Sequence, residues 1–276
     1  MIGRSRPVVP VVRMAGMIAA SASLRRGVSL VAMAPLLEKA FTYHGAVAVA
    51  LVINSPGGSP VQSALIFERI RNLSRKHDKP VIAFVEDMAA SGGYWLACAA
   101  DEIIVSPASI VGSIGVVSAG FGFVSALEKL GVERRVYTAG TRKAMLDAFR
   151  PENPDDIEHL RSLQQEIHAQ FTTMVEQRRG SRLDDDRDLL FSGAFWTGRK
   201  AVSLGLADAE GEIRSVLMQR FGDKVELVPI EPRRGILSIP PAGGIHLQDH
   251  ARLADELVEA GLFRLEEYQL RSRLGL

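Results

Sequence analysis

The run Val47-Ala48-Val49-Ala50-Leu51-Val52-Ile53-Asn54 leads straight into Ser55-Pro56-Gly57-Gly58. Seven apolar residues without polar alternation suit a strand buried on both faces, the pattern of a parallel sheet covered by helices. Pro-Gly-Gly then forces a turn. Beyond it, Val61, Leu65, Phe67, Ile70 and Leu73 recur at near-helical spacing, which predicts an amphipathic helix over 60–76. The alternation continues in both directions. Downstream, the pattern predicts a strand at 81–85, a small-residue turn at 88–93, a short helix at 94–100 and a strand at 102–105. Upstream lie a strand within 8–19 and a helix at 30–41 with Pro35 in its first turns. Further strands are expected at 133–137 and 224–230, and helices at 154–178 and 198–204. Strands alternating with helices predict βαβ units and a mostly parallel sheet.

The bulk numbers agree with a globular α/β protein. The chain has 276 residues, 47% hydrophobic and 24% charged, enough for a large core. A net charge of +1 gives no general attraction to nucleic acid or anionic lipid. The pairs Arg25-Arg26, Arg134-Arg135 and Arg178-Arg179 read as solvated surface. One cysteine, Cys98, excludes an intrachain disulfide and a four-cysteine zinc site. It sits in an apolar run and reads as a small core residue. The uncharged stretch 103–127 has a membrane-spanning length. Pro107, five serines and four glycines make it a poor apolar helix, so it is expected to form short buried strands and tight turns. The start, 1–22, is interrupted by Pro7, Pro10 and Arg13 and does not read as a secretory signal. The expected location is the cytoplasm, or the periphery of the inner membrane. Residues 1–236 are expected to form one domain. Residues 237–276, with the linker Pro240-Pro241-Ala242-Gly243-Gly244 and a helix at 249–260, read either as an arm that packs on a neighbouring subunit or as a loosely attached tail.

In such a sheet, ligands gather at the carboxyl ends of the strands. Two glycine turns fall there, Ser55-Pro56-Gly57-Gly58 and Ala90-Ser91-Gly92-Gly93. The second puts Ser91 at a helix start among small residues, where a substrate carbonyl can approach and unpaired N–H groups favour an anion. Taken alone, a serine there is a helix cap. The companion turn adds a second set of backbone donors, so Gly58 and Gly92 can each supply one N–H to an oxyanion. A serine nucleophile also needs a base. None of the six histidines falls in a small-residue turn or at a predicted strand end, and His77, His159 and His168 read as solvated surface. Lys143 follows the expected strand 133–137; as a base it must be neutral, which requires burial.

The runs Asn54-Ser55-Pro56-Gly57-Gly58, Ala90-Ser91-Gly92-Gly93-Tyr94-Trp95, Gly112-Ser113-Ile114-Gly115 and Gly140-x-x-Lys143 together resemble the signal peptide peptidase A family, also called the S49 or protease IV family. The resemblance spans about residues 8–230, and Trp196 to Asp208 shares it. Lys143 follows Ser91 by 52 residues (143 − 91), as in single-domain members. The sequence departs from the family pattern at Ser59, Ala139 and Ala144. None of these removes a catalytic atom. The resemblance implies an α/β, Clp protease/crotonase-like fold with repeated ββα-type units and a C-terminal helical extension. It implies Ser91 as nucleophile, Lys143 as base, Gly58 and Gly92 as oxyanion donors and Ser113 as the hydroxyl that orients the lysine. It further implies peptide substrates cut at small or apolar residues, a homo-oligomer, and no metal or organic cofactor. A crotonase-type thioester enzyme and a non-catalytic scaffold are the competing readings.

Overall fold

The computed structural model describes residues 6–20 and 27–232. The expected C-terminal extension, 237–276, lies outside them. The chain runs β1 (Val8–Ala15), α1 (Leu30–Phe41), β2 (Val49–Ser55), α2 (Pro60–His77), β3 (Val81–Ala90), α3 (Gly92–Ala97), β4 (Glu102–Val105) and β5 (Ile110–Gly112). It continues through α4 (Val124–Leu130), α5 (Pro154–Arg179), α6 (Arg187–Leu190), β6 (Phe195–Thr197), α7 (Gly198–Ser203), β7 (Ala209–Glu210), α8 (Ile213–Phe221) and β8 (Glu226–Pro229). The strands form one sheet whose main path is β6-β5-β3-β2-β1-β8. All pairs are parallel except β5 with β6.

β2 is buried along its whole length, as its unbroken apolar run requires. Leu51 and Ile53 face the larger core, under α1, α2, α3 and the end of α5; Ala50 and Val52 face the smaller one, under α8. The capping signals act as sequence chemistry predicts. In α2, the Ser59 hydroxyl accepts from Gln62 N–H, Pro60 opens the helix, and Arg75, Lys76 and His77 close it. In α5, Asn153 caps, Asp155 and Asp156 fill the first turn, and Arg178 and Arg179 the last.

β3 is longer than the sequence pattern suggests. Its first half, Ile82–Val85, pairs with β4; its second half, Met88–Ala90, pairs with β5. Residues 88–90, expected as part of a turn, are therefore strand. The exposed pair Glu86-Asp87 marks the change of partner. This split carries Ala90 out past β4 and sets the next residue beside β5.

The segment 116–153 departs most from expectation. Residues 133–137 form no strand, and Tyr137 is 89% exposed. No residue of α4 is buried. Instead the segment gathers on itself: Phe123 stacks on Phe149 at 5.3 Å, Arg134 lies over the Phe149 ring, and Arg134 pairs with Asp147. A Glu-Arg-Arg start and the Arg135–Glu133 pair keep 133–135 in solvent. Likewise 116–123, expected as buried strand and turn, is open coil with Val117 and Phe121 exposed. Among the described residues, no helix is long and apolar enough to cross a membrane.

Candidate active site

Ser91 is the one residue between β3 and α3. Its backbone adopts φ 51° and ψ −122°, a region that side-chain-bearing residues avoid and that costs about 1–3 kcal/mol. Its position is held from the backbone alone. The Ser91 N–H donates to Gly112 O at 2.8 Å, and its carbonyl accepts from Tyr94 N–H at 2.9 Å and Trp95 N–H at 3.1 Å. The hydroxyl makes no capping bond. The simplest expectation for a serine here, an N-cap, thus does not hold, and the hydroxyl faces a cavity of about 880 Å³.

The two glycine turns are in contact. A methyl on Gly57 would lie 2.8 Å from both Gly92 N and Ser91 Cβ; one on Gly92 would lie 2.5 Å from Ser63 Oγ and 3.4 Å from Gly58 N. The Ser55 hydroxyl accepts from Gly57 N–H and donates to Gly16 O, which fixes the first turn. Neither Gly58 N–H nor Gly92 N–H has a backbone or side-chain acceptor among the described residues. Two unpaired donors therefore sit beside an unpaired hydroxyl.

Ser113 lines the same cavity. Its φ is 54°, and its N–H donates to Ala194 O at 2.7 Å. The structure thus brings Ser91, Gly58, Gly92 and Ser113 together. It does not bring Lys143 to them. Lys143 is exposed in the turn after Gly140, on the 116–153 segment, and is not part of the cavity wall. The expected preceding strand is absent, so no strand carries the lysine toward the sheet.

The cavity wall also holds residues that the sequence reading did not single out, together with His168, which it placed on the solvated surface. Arg161, Gln164, Gln165 and His168 of α5 all line it. Their stride of three, four and seven puts them on one helical face, the signal that could have found them. His168 is half-buried rather than solvated, with Nε2 3.2 Å from Ile114 O. Met17, Val116, Phe191 and Phe195 supply an apolar side to the same cavity. Behind Ser91, the helix α3 is packed hard: Trp95 stacks on Phe171 of α5 at 4.7 Å, and the buried Tyr94 hydroxyl donates to Leu206 O at 2.8 Å. Cys98 is buried, and burial pushes its thiol up to about 12, so it stays protonated core. Among the described residues no group of His, Cys, Asp or Glu has the arrangement to hold a metal ion.

A sheet of this topology with a strained serine at a strand end and two facing glycine turns is the architecture of the Clp protease/crotonase class. The model of peptidase family S49 matches residues 74–224, more than half of the chain, and the chain belongs to that family. A chloroplastic serine protease SPPA of Arabidopsis thaliana is 36% identical over 160 residues, 58% of this chain and 23% of that protein. A Brucella abortus protein named Na(+)/H(+) antiporter NhaA is 54% identical over 272 residues, 97% of this chain but 37% of that protein. The chain thus spans well under half the length of these relatives. In the solved structures, a mutant of 1510-N, a membrane-bound stomatin-specific protease, superposes with a TM-score of 0.51 at 15% identity, over 83% of this chain and all of that one. That likeness is one of fold.

Proposed function

We propose that the chain is a serine endopeptidase acting on extended, unfolded peptide segments through a Ser91–Lys143 dyad. One observation carries the reading: Ser91 is held in a strained backbone conformation with its hydroxyl unspent beside two unpaired N–H groups. Strain of this kind persists where the surroundings over-determine it, and it aims the side chain without a hydrogen bond to the hydroxyl. In the proposed reaction neutral Lys143 takes the Ser91 proton, and Oγ attacks the peptide carbonyl. The N–H groups of Gly58 and Gly92 hold the oxyanion. The lysine then protonates the leaving amine, and water resolves the acyl-enzyme. Ser113 accepts a hydrogen bond from the amine and orients it. The apolar side of the cavity favours small or apolar residues at the cut.

This reading requires the 116–153 segment to bring Lys143 to Ser91. Val117, Phe121, Leu130, Val132 and Tyr137 on the same segment are all more than half exposed. An apolar surface of this kind favours packing against a second copy of the chain. The test is cleavage of an unstructured polypeptide by wild type, Ser91→Ala and Lys143→Ala. Wild-type activity lost in both variants supports the dyad; equal activity in all three overturns it. A second reading has one observation behind it: the imidazole of His168 already lines the cavity of Ser91. Activity that survives Lys143→Ala and disappears in His168→Ala would move the base to His168.

A further inference from the structure

The wall of the cavity formed by α5 carries charge that the proposed chemistry does not use. Arg161 lines the cavity and is exposed. Among the described residues no carboxylate pairs with it. Glu158, one turn back, is the carboxylate nearest in helical spacing, and it makes no ion pair with Arg161. Among the described residues, the cavity lining contains no Asp or Glu. One helical turn further along, Gln164 and Gln165 add amide groups, and His168 follows on the same face. A guanidinium flanked by amide groups, with no counter-ion among the described residues, is a receptor for a carboxylate.

We infer that Arg161 is a specificity residue, selecting peptides that carry a carboxylate on the α5 side of the cleaved bond. The carboxylate is either an acidic side chain or a free C-terminus. This rests on the peptidase reading of the site. The arrangement gives the cavity a mixed lining: apolar side chains from Met17, Val116, Phe191 and Phe195, and a cation with amides from α5. A peptide with an apolar residue at the cut and an acidic group beyond it satisfies both. The same arrangement disfavours a lysine or arginine facing α5, through like-charge repulsion with little screening at close range.

The experiment measures binding apart from turnover. Fluorescent peptides with one apolar core and either Glu, Gln or Lys at the flanking positions, each with a free or an amidated C-terminus, are titrated into Ser91→Ala protein. A cation at an exposed site predicts binding about two- to fivefold tighter for the carboxylate peptides over their neutral partners, with the ratio falling as salt is raised. The Glu and free-C-terminus arms separate the two sources of the carboxylate. Arg161→Gln in the Ser91→Ala background levels the series, and Arg161→Glu inverts it in favour of Lys. In active protein the preference enters through KM with kcat held. Equal binding of the Glu, Gln and Lys peptides, including no measurable binding of any, with no gain from a free C-terminus, overturns the inference. An order unchanged by Arg161→Glu overturns it as well. Failure of the peptidase reading has a different signature: wild type cleaves none of these peptides, while the charge preference in binding is still measurable.

Discussion

The Ser91 N–H donates to the carbonyl of Gly112 at 2.8 Å. This bond extends the β3–β5 pairing one step past Ala90↔Gly112. It ties the turn that carries Ser91, the proposed nucleophile, to the turn that carries Ser113. Those two hydroxyls are therefore fixed relative to each other by sheet register, whereas Lys143 sits on a segment that makes no such bond to the sheet. The predictions follow from this division.

Replacing Ser91 separates catalysis from stability in an unusual way. Ser91→Ala should lower peptide cleavage by about a thousandfold or more, as removal of a nucleophile does. Ser91→Gly should be equally inactive yet more stable by about 1–2 kcal/mol, because glycine relieves the φ 51° strain. Loss of an ordinary helix cap would instead destabilise by about 1 kcal/mol. Urea titration of the two variants beside wild type distinguishes the cases.

Lys143→Ala should abolish cleavage while leaving the melting temperature unchanged, since the side chain is exposed and touches no core. If a second copy delivers the lysine, mixing Ser91→Ala with Lys143→Ala should restore activity. Each inactive chain then contributes the residue the other lacks. No recovery on mixing would place the base and the nucleophile in the same chain.

Gly58 should tolerate no side chain. Its φ is 138°, and a Cβ would meet Ile18 O at 2.1 Å, a backbone atom that cannot step aside. Gly58→Ala should cost about 3 kcal/mol and abolish cleavage. Gly122→Ala, where a Cβ meets nothing within 4 Å, should change neither. Denaturation midpoints and peptide turnover for the pair provide the check.

The fold should lose stability in acid through Asp208. Burial alone would raise its pKa, but the Arg179 guanidinium at 2.7 Å, the Ile103 N–H and Arg182 outweigh that and hold it below the usual carboxylate range. A depressed folded-state pKa stabilises above the ordinary value of 3.8 and loses that contribution as pH falls through the lower folded value. Arg179→Met should therefore cost about 3 kcal/mol at neutral pH, by leaving part of a buried pair behind. The deficit should shrink as pH falls below 3.8 and through the lower folded-state value, where Asp208 becomes neutral in wild type as well. Thermal melts from pH 2 to 7 measure the convergence.

Cys98 should be silent toward thiol reagents in the folded protein. With its pKa pushed up to about 12, only about one thiol in ten thousand is ionised at pH 8, and the group is fully buried. Labelling by iodoacetamide should appear only on addition of denaturant.

Much of this molecule is readable from its chain, for reasons that differ by region. α1 begins and ends where the sequence places it, because its cap and apolar face act locally. β2 and α2 are readable within a residue or two because a continuous apolar run, a Pro-Gly-Gly turn and a basic helix end leave one solution. The second half of β3 is not, because Met88-Ala89-Ala90 becomes strand only when β5, far along the chain, pairs with it. Short strands such as β6 and β7 owe their existence to register with neighbours and carry no periodic signal of their own. In the site, small-residue motifs locate Ser91, Gly58, Gly92 and Ser113. His168 and Arg161 escaped because a polar helix face looks the same whether it meets water or a cavity. The strand at 133–137 failed because β propensity without a sheet edge to join forms nothing.

The most direct test of the account is the site of covalent capture by a fluorophosphonate probe. The protein is labelled under conditions where it cleaves peptide, digested, and mapped by mass spectrometry. A single adduct on Ser91, lost in Ser91→Ala and reduced in Gly58→Ala in step with activity, is the predicted result. Turnover of peptide with no adduct on Ser91, or an adduct on another residue that tracks activity, would contradict it.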